Sequence, residues 1–257
     1  MTNRKKYPHA DYRGDYLSRR DVIKRILALG GLGAAGAYLA YAPEDYLGSL
    51  RDHSGLRSRP VEIPFQLPNF RVEPANPSIQ VGLGRGGDTR TMLLKALDAV
   101  GGLTHFIQPG DVVLLKPNVA FDRSPNLGAT THPAIIDTLV RLLLVDARAA
   151  EVRVTDNPIE SPADCFAKSG IGAAAEQAGG RVYLPDPNAF ELLYTPGATL
   201  IEQWAFLKRP FKNVNKVIGI APAKDHNLCH ASLGIKNWYG LLGGRRNQFH
   251  QDIHEIV

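Results

Sequence analysis

Asp111-Val112-Val113-Leu114-Leu115-Lys116-Pro117-Asn118 decides the fold of this chain. The run Val112–Leu115 has no polar side chain to show to water. Such a strand must be covered on both faces, as the strands of a parallel sheet are. Lys116 and Asn118, on either side of a proline that cannot continue a ladder, then bring polar groups to the strand's carboxyl end. Two further runs repeat the pattern. Glu151–Thr155 is followed by Asp156-Asn157-Pro158, and Lys216–Ile220 by Ala221-Pro222-Ala223-Lys224-Asp225-His226-Asn227. Helical spacing lies before and between them: Thr89–Val100, with Met92, Leu93, Ala96, Leu97 and Val100 on one face, then His132–Val145, and Ala163–Ala178 ended by Gly179-Gly180. Ile79–Leu83 and Arg181–Leu184 read as short strands, Ala198–Leu207 as the neighbourhood of a β-hairpin, and Leu233–Leu242 as a helix. This alternation predicts an α/β fold, a mostly parallel sheet with helices on both faces. The domain is expected over residues 78–257 and reads as truncated at its C-terminus, since Val257 follows directly on the start of a helical pattern. Residues 43–77, with Pro43, Pro60, Pro64, Pro68, Pro74 and Pro77, read as an extended linker.

In an open parallel sheet, ligands bind in the crevice at the carboxyl ends of the strands. The residues that follow each strand therefore nominate a site. Lys116, His132, Asp156, Lys224 and His226 are the catalytic candidates. Lysines there offer point charges for a carboxylate or phosphate, or a base tuned by burial. Histidines offer a proton shuttle or a metal ligand, and Asp156 is expected to orient a histidine or a metal. Asn118, Lys236, Asn237, Arg245 and Arg246 are the expected substrate-binding set. No metal is named by these residues. His250 and His254 would share one face of a helix, as metal ligands can, yet Gln251 stands where H-E-x-x-H needs its glutamate, and a solvated chain end explains the pair as well. Gly82, Gly84 and Gly87 satisfy G-x-G-x-x-G. A dinucleotide site would also want an acidic residue at the end of the next strand, where Leu115-Lys116 stands, so a tight turn is the better reading of the glycines.

The N-terminus carries an address. Ser18-Arg19-Arg20-Asp21-Val22-Ile23-Lys24, followed by the uncharged Gly- and Ala-rich stretch 26–42, reads as a twin-arginine export signal over residues 1–42. Ala40-Tyr41-Ala42 is an A-x-A cleavage site with Pro43 directly behind it, so an uncleaved anchor is the alternative to a cleaved signal. The expected location is periplasmic or otherwise extracytoplasmic, with the twin-arginine translocase as a partner. The whole chain has a formal charge of +5; without residues 1–25, 22 basic and 22 acidic side chains remain. A neutral body lacks the sustained positive field that nucleic-acid binding requires, and no nucleic acid is expected. Cys165 and Cys229 are the two cysteines. An iron–sulfur cluster takes four thiolates, so this chain cannot hold one alone. The pair could bond in an oxidising compartment or remain as free thiols.

Five blocks resemble the family catalogued as domain of unknown function 362: Val113–Asn118, Gly128-Ala129-Thr130-Thr131-His132-Pro133, Asp156-Asn157-Pro158, Lys224-Asp225-His226, and Gly234-Ile235-Lys236-Asn237-Trp238-Tyr239-Gly240-Leu241-Leu242, with Gly244-Arg245-Arg246 and His250 behind the last. The resemblance covers about residues 79 to 257 and implies an α/β fold with no settled reaction. It also implies a continuation beyond His250 and, in many relatives, two ferredoxin-like cysteine clusters that this chain lacks. Many relatives have a lysine where Pro222 stands. The expected function is an exported, cofactor- or metal-dependent enzyme acting on a small anionic substrate, with a redox partner possible. The alternative is a non-catalytic binding or assembly protein of an envelope redox complex.

Overall fold

A computed structural model describes residues 23–24, 26–31, 33, 64–79, 81–198 and 201–251, in two compact units, Met1–Asp52 and His53–Val257. In the first unit the described residues between 23 and 33 are helical and exposed. Arg19-Arg20, Ala40-Tyr41-Ala42 and His254 lie outside the described residues. Among the described residues no helix is long and apolar enough to cross a membrane.

The second unit is built on a four-stranded parallel sheet. Its strands are β1 (Val112–Pro117), β2 (Glu151–Val154), β3 (Arg181–Val182) and β6 (Lys216–Ile220), in the order β3-β2-β1-β6. The antiparallel hairpin of β4 (Phe190–Tyr194) and β5 (Gln203–Leu207) stands apart from it. So does a second, smaller hairpin, β7 (Lys224–His226) with β8 (His230–Ser232). β1 pairs with β2 through Val113↔Val152 and Leu115↔Val154, and with β6 through Leu115↔Ile218 and Pro117↔Ile220. Asp111 fastens the start of the sheet: its carboxylate accepts from the Gln108 N–H at 2.8 Å and from Asn215 Nδ2 at 2.7 Å, while Asn215 Oδ1 accepts from the Val112 N–H at 2.9 Å.

The helices are α1 (Thr89–Asp98), α2 (Leu103–Phe106), α3 (Pro133–Arg141), α4 (Pro162–Lys168), α5 (Ile171–Gln177) and α6 (Gly234–Asn237). Strand alternation sends Val113 and Leu115 to one face, into a core with Ile136, Leu139, Phe166 and Ile171 from the helices. It sends Leu114 to the other face, against Trp204, Phe206, Phe211, Leu241 and Phe249. The α/β fold is as expected. The second face, however, is covered by the β4–β5 hairpin and by 3-10 turns at Trp238–Leu241 and Arg246–Gln251.

Two local expectations change. The described residues of this stretch, Ile79 and 81–83, form no strand. A Cβ on Gly82 or Gly84 would overlap the Ala96 or Met92 carbonyl of α1, so these glycines let an extended segment lie on a helix backbone. The helix then opens at Asp88, whose side chain accepts from the Thr91 N–H at 2.8 Å. Ala163–Ala178 is two helices, because Gly170 adopts φ 71° and turns the chain against Pro133. In residues 64–77 the only β-bridge residue is Phe65, yet Phe65, Leu67 and Phe70 pack into the second core.

Candidate functional site

β1 leads on to β2 and β3 on one side, and the chain returns to place β6 on the other. The point where strand order reverses therefore lies between β1 and β6, where a crevice opens beyond the strand ends. Thr131 holds those ends together: its hydroxyl accepts from the Asn118 N–H at 2.8 Å and donates to the Ile220 carbonyl at 2.7 Å. The crevice is a cleft of about 420 Å³. Lys116, Asn118, Asp156, Lys224, His226, Lys236, Asn237 and Arg246 line it, so eight of the ten residues nominated from the sequence converge here.

Its floor is a buried ion pair. Lys116 lies on the face of Leu114, and its Nζ donates to Asp156 Oδ1 at 2.5 Å, to the Pro117 carbonyl at 2.8 Å and to Asn237 Oδ1 at 3.1 Å. An ammonium has three protons, and all three are taken. Burial pulls the Lys116 pKa down and the Asp156 charge pulls it back up. Asp156 is equally committed. Oδ2 accepts from the Val119 N–H at 2.6 Å and Oδ1 from the Asn157 N–H at 2.9 Å. Asp156, expected to orient a histidine or a metal, instead bonds Lys116 and two loop amides. Gly240 roofs the pair: a Cβ there would overlap Asp156 Oδ1 and come within 2.6 Å of Lys116 Nζ.

Two amides carry this network outward. Asn237 Oδ1 also accepts from Asn118 Nδ2 at 3.2 Å, and Asn118 Oδ1 accepts from Lys224 Nζ at 3.0 Å. Lys224 donates once more, to the Ala129 carbonyl at 2.5 Å, and lies 5.2 Å from the centre of the Phe121 ring. One of its protons stays free for a ligand. Lys236 is freer still: it makes no hydrogen bond among the described residues and lies 5.4 Å from the centre of the Tyr239 ring. Burial lowers the pKa of both lysines below 10.5, aided by Lys236 at Lys224 and, against a smaller opposing pull from Cys229, by Arg246 at Lys236. Arg246 differs from them. Its terminal nitrogens donate to the carbonyls of Asn157, Pro158, Gly240 and Leu242, at 2.6, 3.1, 3.3 and 3.0 Å, which ties the loop after β2 to the loop after α6.

The cleft's two imidazoles, His226 and His250, stack at 5.9 Å with their planes 2° apart. Their partners set opposite tautomers. His226 Nδ1 accepts from the N–H groups of Leu228 and Cys229 at 3.2 and 3.3 Å, so its proton sits on Nε2. His250 Nδ1 faces the Asn247 carbonyl at 3.1 Å, which can only accept, so Nδ1 carries the proton and Nε2 keeps a lone pair. The Tyr239 hydroxyl, 3.3 Å from His250 Nδ1, agrees: it donates to the Arg246 carbonyl at 2.5 Å and has lone pairs left for the imidazole. Burial keeps that phenol protonated, raising its pKa above 10.0. Burial, then Lys236, His250 and Lys224, lower His226 below 6.5, which keeps it neutral at neutral pH. The protein partners thus leave an Nε2–H on His226 and an Nε2 lone pair on His250.

Two nominated residues stay out of the cleft. His132 is exposed and caps α3, its Nδ1 accepting from the Ala134 N–H at 3.2 Å. Arg245 is exposed on the turn before Arg246. Thr131, Tyr239, Gly240 and His250 are the working residues that strand-end reasoning missed. Each lies within or just behind a motif block, but its role depends on partners far away in sequence. Cys165 is a buried free thiol pushed up to about 11, chiefly by burial, and Cys229 is free on the β7–β8 turn. Among the described residues no group of three or more His, Cys, Asp or Glu could hold a metal ion.

Fold and site together define an α/β protein with a lysine-walled cleft at a topological switch point. The chain belongs to the family described as Domain of unknown function (DUF362), whose model matches residues 113–257. It is also similar to the thylakoid-associated protein sll1697 of Synechocystis sp., 25% identical over 166 residues. That match covers 62% of this chain and 48% of the relative, so the chain spans about half the relative's length. No solved structure matches.

Proposed function

We propose that the cleft binds the carboxylate or phosphate of a small substrate on Lys224 and Lys236, and that His226 and His250 act on the atom beside it as acid and base. The observation that carries this reading is the stacked imidazole pair with opposed tautomers, next to an ammonium that no group among the described residues occupies. Lysine charges in a partly buried cleft gain on an anion what water would screen. For a C–H bond next to a carboxylate, His250 Nε2 takes the proton and becomes an imidazolium, while the His226 Nε2–H donates to the oxygen that gains negative charge. The reverse transfer restores both rings, so proton exchange needs no other reagent. Iron–sulfur redox chemistry would need a partner bringing its own ligands, since two cysteines cannot hold a cluster.

The test is α-proton exchange. The full-length protein is incubated in D2O with a panel of short unsubstituted and 2-hydroxy carboxylates, and loss of the α-proton signal is followed by NMR. The expected result is exchange with at least one acid, abolished in His250→Gln and His226→Asn. Binding without exchange would favour the non-catalytic binding protein. No binding of any carboxylate or of phosphate overturns the anion reading.

The twin-arginine pattern at Ser18–Lys24 supports export to the extracytoplasmic side. The thylakoid association named for the Synechocystis relative fits delivery to or across a membrane. Replacing Arg19-Arg20 by Lys-Lys should leave the protein in the cytoplasmic fraction. Unchanged recovery from the envelope would rule out that route.

A further inference from the structure

A second cavity adjoins the cleft. It encloses about 250 Å³ and is lined by Leu193, Ile201, Phe206, Trp238, Leu242 and Phe249, with Ile235 beside them. Lys236, Tyr239 and His250 line both cavities and form their shared wall. Its chemistry is the reverse of its neighbour's: apart from the shared wall, its lining is entirely apolar. The lip is apolar too, with Ile235 66% and Trp238 40% exposed. Trp238 is held there by close packing, since a Cβ on Gly219 would come within 2.7 Å of its ring.

The free ammonium of Lys236 thus stands where a cationic cleft meets an apolar pocket. A ligand whose charge sits on Lys236 has its next atoms at the shared wall. We infer that the substrate is an amphipathic anion: a carboxylate or phosphate monoester whose head lies on Lys224 and Lys236, and whose alkyl or aryl tail fills the pocket behind Trp238. The inference rests on the anion reading proposed above and adds the tail. Largely apolar pockets with a few placed polar groups are the usual form of small-molecule sites. The pocket supplies affinity, and the cleft holds the reacting end.

The experiment titrates the full-length protein with acetate, butyrate, hexanoate and octanoate, each below its aggregation limit, and with octyl phosphate and 1-octanol. Trp238 emission and calorimetry are the readouts. The expected result is an affinity that rises about fourfold per buried methylene, with a blue shift of emission for the long chains only. Octanoate and octyl phosphate separate the two head groups, and 1-octanol should bind far more weakly than either. Trp238→Phe should lose the emission change while calorimetry still shows the chain-length order. Equal affinity from acetate to octanoate would overturn the tail pocket and leave the anion reading standing. Equal affinity for octanoate and 1-octanol would overturn the joint head-and-tail ligand. No binding by any carboxylate or phosphate removes the anion reading, and this inference with it.

Discussion

Lys116 and Lys236 line the same cleft, yet they are different kinds of lysine. Lys116 is fully buried, and its three protons go to Asp156, Pro117 and Asn237. Lys236 is half-buried and donates to no group among the described residues. What separates a structural cation from a binding one is the number of acceptors the protein has already supplied. By that measure the floor (Lys116, Asp156, Asn237) is complete, and the wall (Lys224, Lys236, His226, His250) is open. Mutations should separate the two regions sharply, the floor through stability and the wall through ligand binding.

The largest effect belongs to the floor. Asp156→Ala leaves Lys116 as a buried charge without its counter-ion and frees two loop N–H groups. Removing one partner of a buried pair costs about 3–5 kcal/mol. Denaturant unfolding of Asp156→Ala should show a loss of that size, and a loss below about 1 kcal/mol would mean that the pair does not hold the cleft floor together. Gly240→Ala comes next. Its new methyl has nowhere to go but into the Lys116–Asp156 contact, and overpacking of this kind costs about 1–3 kcal/mol. If Gly240→Ala unfolds like the parent, the roof over the pair is looser than its contacts indicate.

This contrast also explains what was legible in the sequence. β1, β2 and β6 were readable because continuous apolar runs bounded by polar residues leave few alternatives, and strand-end reasoning then brought Lys116, Asn118, Asp156, Lys224 and His226 to one cleft. Ile79–Leu83 misled because its apolar residues resemble a strand, while the reason it is not one lies in the backbone of α1 beneath Gly82 and Gly84. The split at Gly170 was hidden for a similar reason, since a single left-handed residue barely disturbs helical spacing. His132 was nominated for its residue type, and it caps a helix instead. The saturation of Lys116 could not be read at all. Asn237, one of its three acceptors, lies 121 residues away, and nothing local to Leu115-Lys116-Pro117 announces it.

The wall gives smaller and more selective effects. Lys236→Ala should weaken binding of phosphate or a short carboxylate by about 10- to 100-fold, the range for a hydrogen bond to a charged group. Its stability should stay within about 0.5 kcal/mol of the parent, since no protein partner is lost. Equal losses of binding and stability would erase the distinction between wall and floor. pH sharpens it further. Lys224 and Lys236 have pKa values lowered below 10.5, so anion affinity should begin to fall, as pH rises, earlier than an ordinary lysine would allow. On the acid side His226 acts. Its folded pKa lies below 6.5, so its contribution is present above that value and is lost as pH falls through the lowered one. Protonation there removes the Nδ1 lone pair that holds the Leu228 and Cys229 N–H groups, loosening the β7–β8 turn that carries the ring. A binding profile whose acid and alkaline limbs fall at the ordinary histidine and lysine positions, unshifted on either side, would contradict both assignments.

The smallest expected effect is the most discriminating about neighbours in sequence. Arg245 and Arg246 are adjacent and chemically identical, but only Arg246 lines the cleft. Arg246 joins four carbonyls from two loops, whereas Arg245 is exposed. Arg246→Ala strands those carbonyls in a half-buried setting and should destabilise by about 1–3 kcal/mol. Arg245→Ala removes only a surface charge whose field is screened within about 8–10 Å at moderate salt. Anion affinity in Arg245→Ala should therefore change less than about twofold, and what change there is should vanish as salt is raised. A larger, salt-resistant loss would mean that Arg245 reaches the ligand directly. The cleft would then extend past the turn at Gly244, and the open wall would hold one more cation than the geometry assigns to it.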